Sequence, residues 1–399
     1  MTVSFFAATD IRVHRHLRSR VSGAYSMTSI LAMESLIQDV LDLNITKLGE
    51  FADRREAVPM DKWVNYFTFD AVGKLAMGGT IGFLEQGKDV DGIIRSIHDG
   101  FYLMANMGNV PFQMLWFNNP LAKWAVRTFG GKRLNAFDIF LDWLDKRVEE
   151  RMTDGLKDGQ RRDMLQHYIE AKDPQGLPVK KGDVMIEGVN ILGAGADTTT
   201  IGILAILGSL FINPQAKHKL QREVDQAYQD LDLDQQHRQI TFKEAERLPY
   251  LSAVVCESTR LHPSIQYQLP RYVPAGGVQI GTYHVPPGSV CGISPRSMNR
   301  CEDIFGPDAD AFRPERWIPQ GPGDEERIKR QTSLLTTFGM GSRSCVGKNL
   351  ATVEMYKYIA QFFRHFDAEL VDPERPWNTK SQWFAFQREF PVRIMRRSH

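Results

Sequence analysis

The chain has 399 residues, with 49 basic and 48 acidic side chains and 42% hydrophobic residues. So much apolar material with so little net charge excludes a disordered chain, and the lack of a basic excess argues against nucleic-acid binding. The length exceeds what one simple core usually needs, so we expect a large two-part fold. The four cysteines, at positions 256, 291, 301 and 345, offer neither a disulfide framework nor a C-x-x-C zinc pair.

The first two thirds of the chain have a helical pattern. A basic helical segment is already running by Arg12, and apolar residues repeat at helical spacing over Leu31–Leu43 and Phe137–Met152. Val184–Ile212 is apolar on nearly all sides, which predicts a helix buried in the middle of the protein. Its longest apolar run, Ile201–Ile212, falls short of the roughly 20 residues that a membrane span needs.

The centre of this buried segment is unusual for a helix. It reads Gly-Ala-Gly-Ala-Asp-Thr-Thr-Thr from position 193, and small residues there let another group approach the backbone closely. A helix that merely tolerates glycine would explain the small residues. A buried Asp197 beside the hydroxyl of Thr198, however, is costly unless the acid has a partner or a function. A dinucleotide fingerprint is rejected, because Thr198 stands where its third glycine would be.

A proline-rich part follows the helices. Ten of the 20 prolines lie between Pro263 and Pro322, and the residues around Val278–Val285 predict short strands with tight turns. Helical spacing returns over Lys348–Phe366, and the tail, Gln382–Met395, is again typical of short strands.

The most informative stretch is Phe338–Gly347, which reads FGMGSRSCVG. Its glycines permit a tight loop, and an amphipathic helix begins just after Cys345. Unpaired N–H groups at a helix N-terminus favour a thiolate, which is what an axial ligand of haem iron requires. The alternative is an inert buried thiol, the fate that we expect for the other three cysteines. A phosphate-binding loop is excluded, because its glycine spacing is wrong and Asn349 follows Lys348.

This loop resembles the haem signature of the cytochrome P-450 family, F-x-x-G-x-R-x-C-x-G, at every fixed position. Three further segments resemble family motifs in the same order: Ala194–Thr198, Glu257–Arg260 and Phe312–Trp317. The resemblance implies a mainly α P-450 fold, with a large helical body, a small β-rich portion, and haem between the long central helix and the cysteine loop. We expect a single domain divided into a mostly helical part (1–262), a β- and loop-rich part (263–345), and a helix with C-terminal strands (346–399).

The resemblance also implies roles for individual residues. Cys345 would be the axial ligand of haem b iron, and Asp197 with Thr198 would steer protons to bound dioxygen. Glu257, Arg260 and Arg316 would form a structural ion network; Glu257-x-x-Arg260 is otherwise a weak signal, since the pattern recurs at Glu244. The other implied cofactor contacts are Arg343, Arg18, Arg271 and His14 at the propionates, and Phe338, Gly341 and Ala194. The implied substrate-pocket residues are Ile265, Gln266, Tyr267, Gln268, Trp383 and Phe384.

The implied reaction inserts one oxygen atom from O2 into a small apolar substrate, by hydroxylation or O-demethylation. NADPH electrons would arrive through NADPH-cytochrome P-450 reductase. The sequence is similar to filamentous-fungal members, including the pisatin demethylase-like group, which implies secondary metabolism or detoxification.

Family members usually begin with a membrane anchor that places them on the cytoplasmic face of the endoplasmic reticulum. We expect this chain to lack that anchor, the opening helices and the first strands. Two alternatives stay open: a non-catalytic truncated fragment, and a haem-dependent isomerase or dehydratase with the same fold. Such isomerases tend to lose the acid–alcohol pair that Asp197 and Thr198 form here.

Overall fold

The computed structural model describes residues 4–107, 110–112, 115, 119–129, 136–156, 162–172, 176, 178–381 and 383–398. Most of these residues lie in helices packed around one long, buried helix, Lys181–Ile212, which we call the central helix. The helices before it are Ile11–Ser22, Met27–Ala32, Glu34–Arg54, Met60–Met77, Phe83–Gln86, Ile93–Met107, Pro120–Phe129, Ala136–Asp154 and Met164–Glu170. The helices after it are Pro214–Asp230, Phe242–Ala245, Pro249–Leu261, Pro295–Met298, Glu302–Phe305, Asp324–Leu334 and Lys348–His365.

The central helix is helical because its apolar side chains are buried on all sides, and this burial outweighs its poor helix formers. It ends at Ile212, and Pro214 then starts the next helix at a position that needs no N–H donor. This helix is long and apolar enough to cross a membrane, but most of its apolar stretch is buried inside the protein, as in soluble core helices.

The strands form one three-stranded sheet and three two-stranded ones. In the larger sheet, β9 (Pro391–Arg396) lies between β1 (Ala57–Pro59) and β6 (Phe366–Leu370), antiparallel to both. The C-terminal tail is thereby tied to the helical body. The smaller pairs are β2 (Leu269–Tyr272) with β5 (Val290–Ile293), β3 (Val278–Ile280) with β4 (Tyr283–Val285), and β7 (Asn378–Ser381) with β8 (Ala385–Arg388).

Most elements agree with the sequence-based expectations, but one helix is interrupted and the strands β1, β6 and β7 were not predicted. The helix predicted over 31–43 is interrupted at Met33, and its second part continues to Arg54. Strand β1 was not predicted, because three residues carry no periodic signal and the partner strand lies more than 300 residues away. Gln382, the first residue of the predicted C-terminal strands, lies outside the described residues.

Candidate haem-binding site

The cysteine loop is held in a tight turn before the helix Lys348–His365. Gly339 and Gly341 have φ angles of 68° and 67°, which side chains with a Cβ rarely adopt. The Cys345 N–H donates to the Phe338 carbonyl at 2.8 Å and closes the loop. The Gly341 position of the motif is therefore explained by backbone geometry.

Cys345 is the most exposed of the four cysteines. The protein nevertheless surrounds its sulfur, and the resulting desolvation raises the thiol pKa. The backbone N–H groups of Gly347 and Lys348 and the charge of Arg18 act in the opposite direction. The N–H groups at the helix N-terminus thus lower the thiol pKa, as predicted, but they lower it by less than burial raises it. Cys256 is a half-buried thiol outside the loop, and desolvation raises its pKa to about 12.

One face of the central helix is open at its middle. Ala194 is exposed although the residues around it, such as Leu192 and Ala196, are buried. The half-buried Thr198 lies one turn further on this face, and its hydroxyl donates to the Ala194 carbonyl at 2.8 Å. An exposed alanine in the middle of a core helix indicates space for another group beside it.

Residues 264–269 bridge the central helix and the cysteine loop. The Ser264 hydroxyl donates to the Thr198 carbonyl at 2.7 Å. Five residues later, a Leu269 methyl group lies 4.0 Å from where a Cβ on Gly339 would be. The open face of the central helix and the exposed cysteine are therefore connected by one short segment.

Four basic residues predicted to hold propionates converge beside the cysteine loop. Arg18 donates to the Ser344 carbonyl at 2.8 Å, and Arg343 donates to the Ala8 carbonyl at 2.6 Å. Burial, Arg271 and Arg18 lower the pKa of Arg343. Burial, Arg343 and Arg18 likewise lower the pKa of His14, which is 5% exposed.

This cluster has an excess of positive charge. Within the described part of the chain, no carboxylate forms an ion pair with Arg18, Arg271 or Arg343. Guanidinium groups are suited to binding carboxylates, so the residues present fit a group that carries two of them, as haem does. The exposed residue Cys345 and the open helix face fit the same group.

The Glu257 network is buried and fully connected. Arg260 contacts both Glu257 oxygens at 2.8 Å, while the Arg316 Nε lies 3.3 Å from Glu257 Oε1. Trp317 donates to Oε2 at 2.8 Å. The side chains of the Glu257–Arg260 pair are 0% exposed, so a structural role agrees with their positions.

The second copy of the Glu-x-x-Arg pattern, which begins at Glu244, has different partners. Glu244 pairs with Arg238 at 2.8 Å, and Arg247 is exposed. This difference could not be read from the four-residue pattern alone.

Asp197 does not share the open face with Thr198. It is 0% exposed, and its Oδ1 accepts a hydrogen bond from Asn65 at 3.0 Å and lies 2.8 Å from His98 Nε2. Asn65 and His98 were not predicted, because they are 132 and 99 residues away from Asp197 and belong to no local motif. The partner that a buried acid requires is therefore present.

The predicted substrate-pocket residues fall into two groups. Ile265 forms a β-bridge with Phe384, whose ring lies 5.4 Å from that of Phe101. These apolar residues lie next to the Thr198 end of the bridging segment. The remaining four lie elsewhere. Gln266, Tyr267 and Gln268 line an open groove of about 660 Å³ beside β5, and Trp383 contacts the Tyr267 ring at 5.8 Å.

The known proteins that resemble this chain are cytochromes P450. The cytochrome P450 family model matches residues 4–392. The cytochrome P450 monooxygenase cicH of Emericella nidulans is 30% identical over 398 residues, which cover 98% of this chain and 77% of cicH. The monooxygenase ACRTS1 of Alternaria alternata is 31% identical, with 96% of this chain and 100% of that protein covered. These names favour a monooxygenase over an isomerase, a dehydratase or a non-catalytic fragment.

Solved structures confirm the predicted fold class. The cytochrome P450DA haem domain superposes with a TM-score of 0.81 at 16% identity, over 99% of this chain and 80% of that one. The cytochrome P450 CYP102L1 gives a TM-score of 0.82 at 18% identity, over 99% and 81%. With this fold, this cysteine loop and these relatives, the chain belongs to the cytochrome P450 family.

Proposed function

We propose that Cys345 ligates the iron of haem b and that the chain is a fungal haem-thiolate monooxygenase acting on a small apolar substrate. The observation that carries this proposal is an exposed cysteine beside three arginines that no described carboxylate neutralises. Haem with a thiolate ligand supplies electron density that favours cleavage of the O–O bond. A coordinating thiol is deprotonated by the metal's charge, which would overcome the raised pKa of Cys345.

Each group of residues has its own task in this proposal. Arg18, Arg271, Arg343 and His14 would hold the propionates, while Phe338 and Gly341 fix the loop. Ala194 would leave room for the cofactor and dioxygen on the open helix face. The overall reaction consumes the substrate, O2, NADPH and one proton, and it yields hydroxylated substrate, water and NADP⁺.

Asp197 and Thr198 would supply the protons. The Thr198 hydroxyl hydrogen is engaged by the Ala194 carbonyl, so its oxygen can accept a hydrogen bond on the open face. Asp197 is a buried acid one residue before it, and a positioned carboxyl group can act as a proton donor or acceptor in general acid–base catalysis. An acid and a hydroxyl at this place can therefore move protons without exposing the site to bulk water.

The proposed substrate is apolar because the nearest described walls are apolar. Phe101, Ile265 and Phe384 lie together beside the Thr198 end of the bridging segment. Burial of such surface favours an organic molecule with little charge. Membership of a fungal group of monooxygenases supports a role in secondary metabolism or detoxification.

We propose NADPH-cytochrome P450 reductase as the electron donor and the cytoplasmic face of the endoplasmic reticulum membrane as the location. Family membership supports both. Co-purification of the reductase from fungal microsomes with the native protein would support the pairing, and recovery of the native protein in the cytosolic fraction would contradict the location.

The ligand assignment is tested with carbon monoxide. The reduced, haem-loaded protein should give the family's characteristic absorbance band, and Cys345→Ala should lose it. Cys301→Ala is the matched control, because Cys301 is a half-buried thiol outside the loop, and it should keep the band. A Cys345→Ala protein with an unchanged band would rule the assignment out. Substrate turnover without oxygen consumption would instead contradict the monooxygenase reaction.

A further inference from the structure

Asp197 is held at one oxygen only. Asn65 donates to Oδ1 at 3.0 Å, and His98 Nε2 lies 2.8 Å from the same atom. Asn65 also donates to the Thr200 hydroxyl at 3.0 Å, so its amide is fixed from two sides. Asp197 Oδ2 is buried, and no described residue donates a hydrogen bond to it.

A third side chain determines which nitrogen of His98 carries the proton. Arg388 Nη2 lies 3.3 Å from His98 Nδ1. A guanidinium group can only donate, so Nδ1 must be the unprotonated nitrogen and the ring proton must be on Nε2. His98 is then a neutral imidazole that donates from Nε2 to Asp197 Oδ1. A proton on Nδ1 of the neutral ring would place two donors against each other and leave an unprotonated Nε2 facing the Asp197 oxygen.

The positions of Arg388 and His98 are supported by a shared aromatic ring. The Arg388 guanidinium carbon lies 4.2 Å from the Phe386 ring centroid, and the His98 ring packs against the same Phe386 at 5.0 Å. Arg388 and Phe386 lie on β8, whereas His98 lies on the helix Ile93–Met107. The strand therefore orients a side chain on a helix nearly 300 residues earlier in the chain.

We propose that His98 is a positioning residue, oriented by Arg388, that holds Asp197 through Oδ1 and leaves Oδ2 as the oxygen that exchanges protons during turnover. In each cycle Oδ2 takes up a proton from solvent, releases it toward the Thr198 side and returns to the carboxylate, once for each of the two protons that form water from one oxygen atom of O2. His98 keeps its proton on Nε2 throughout. The catalytic part rests on the proposed function; the hydrogen-bond arrangement does not.

The first experiment compares two variants at position 98 with the wild type and follows oxygen, NADPH and product in the holoenzyme with its reductase. His98→Leu removes the donor, so the fraction of NADPH electrons recovered in product should fall about tenfold, with more hydrogen peroxide formed and KM nearly unchanged. The solvent deuterium isotope effect on kcat should rise. His98→Gln can still donate from its amide, so it should restore most of the coupling.

The substitutions His218→Leu and His218→Gln are matched controls, because His218 is exposed on another helix. A His98→Leu enzyme as well coupled as the wild type would overturn the proposal. So would a His98→Gln enzyme as poor as His98→Leu, since that result would mean that the imidazole itself transfers the proton.

The second experiment reads the tautomer directly. In the diamagnetic ferrous–carbon monoxide form, the ¹⁵N NMR signals of His98 should show hydrogen on Nε2 and none on Nδ1. Arg388→Met should disturb that signal, whereas Arg393→Met, an exposed arginine on β9, should not. A protonated Nδ1 in the wild type would refute the arrangement. If the signals agree but no oxygenated product forms, the proposed function fails while the hydrogen-bond assignment stands.

Discussion

At the scale of single residues, the buried acids differ in how they are compensated. Glu257 has two arginines and a tryptophan as partners. Glu354, on the helix that follows Cys345, is also 0% exposed. Desolvation raises its pKa to about 8, and the Thr199 side chain offsets only part of this shift. Glu354 is therefore protonated in the folded protein at neutral pH.

The raised pKa of Glu354 predicts a pH-dependent stability. In the unfolded chain this carboxyl ionises near its ordinary pKa of 4.5, but in the folded protein it keeps its proton until about pH 8. The free energy of unfolding should therefore fall as pH rises between these values, by at most about 1.4 kcal/mol per pH unit. Glu354→Gln should remove this part of the slope, as measured by urea unfolding at several pH values.

The matched control for this prediction is Glu369→Gln, since Glu369 is exposed on β6. It should leave the slope of the wild type unchanged. Equal slopes for the wild type and Glu354→Gln would show that Glu354 ionises freely in the folded state.

At the scale of elements, the sequence predicts the helices and loops whose signal lies within one continuous stretch of residues. The central helix was expected over 184–212 and is found at Lys181–Ile212, because an all-round apolar pattern and a following proline are visible in one stretch. The loop around Cys345 was likewise recognisable, since its glycines, arginine and cysteine lie within ten residues.

What the sequence could not predict depends on long-range contacts. Strand β1 exists because Val58 pairs with Val392 in the tail. The environment of Asp197 depends on His98 and Arg388, which meet across 290 residues. No spacing rule connects such residues, because the fold alone brings them together. The same holds for Glu257 and Glu244, which have the same local pattern and different partners.

The central helix allows a test of close packing. A Cβ on Gly208 would lie 2.8 Å from two atoms of the Trp377 ring, and that ring is itself packed against Phe390 at a centroid distance of 4.9 Å. Gly208→Ala should therefore lower the free energy of unfolding, because overpacking costs about 1–3 kcal/mol against a gain of about 1 kcal/mol in helix propensity. Urea unfolding monitored by circular dichroism measures the difference.

Gly195→Ala is the matched control in the same helix. Its added Cβ would lie 3.5 Å from Val72, an ordinary contact distance. This variant should keep the propensity gain and be more stable than the wild type by up to about 1 kcal/mol. A stabilised Gly208→Ala protein would show that Trp377 moves aside freely.

At the scale of the whole molecule, the candidate haem site joins segments that are far apart in the sequence. Arg18 comes from the helix Ile11–Ser22, Arg271 from β2, and Arg343 from the cysteine loop. Folding partly buries Arg343 and brings these like charges together, and both effects lower the pKa of Arg343. The bound propionates would supply the opposite charge, so the cofactor should stabilise the whole fold and not only the loop.

This charge arrangement predicts opposite responses to salt with and without the cofactor. Salt screens exposed charges over a Debye length of about 10 Å at 0.1 M. In the haem-free protein it should relieve the repulsion among the three arginines, and Tm should rise with sodium chloride. In the haem-loaded protein the propionates remove that repulsion, so the rise should be smaller or reversed.

The control variants replace one arginine at a time. Arg343→Gln should weaken the salt response of the haem-free protein. Arg330→Gln should not, because Arg330 is exposed elsewhere on the surface. Identical salt responses with and without haem would mean that these arginines do not bind the propionates.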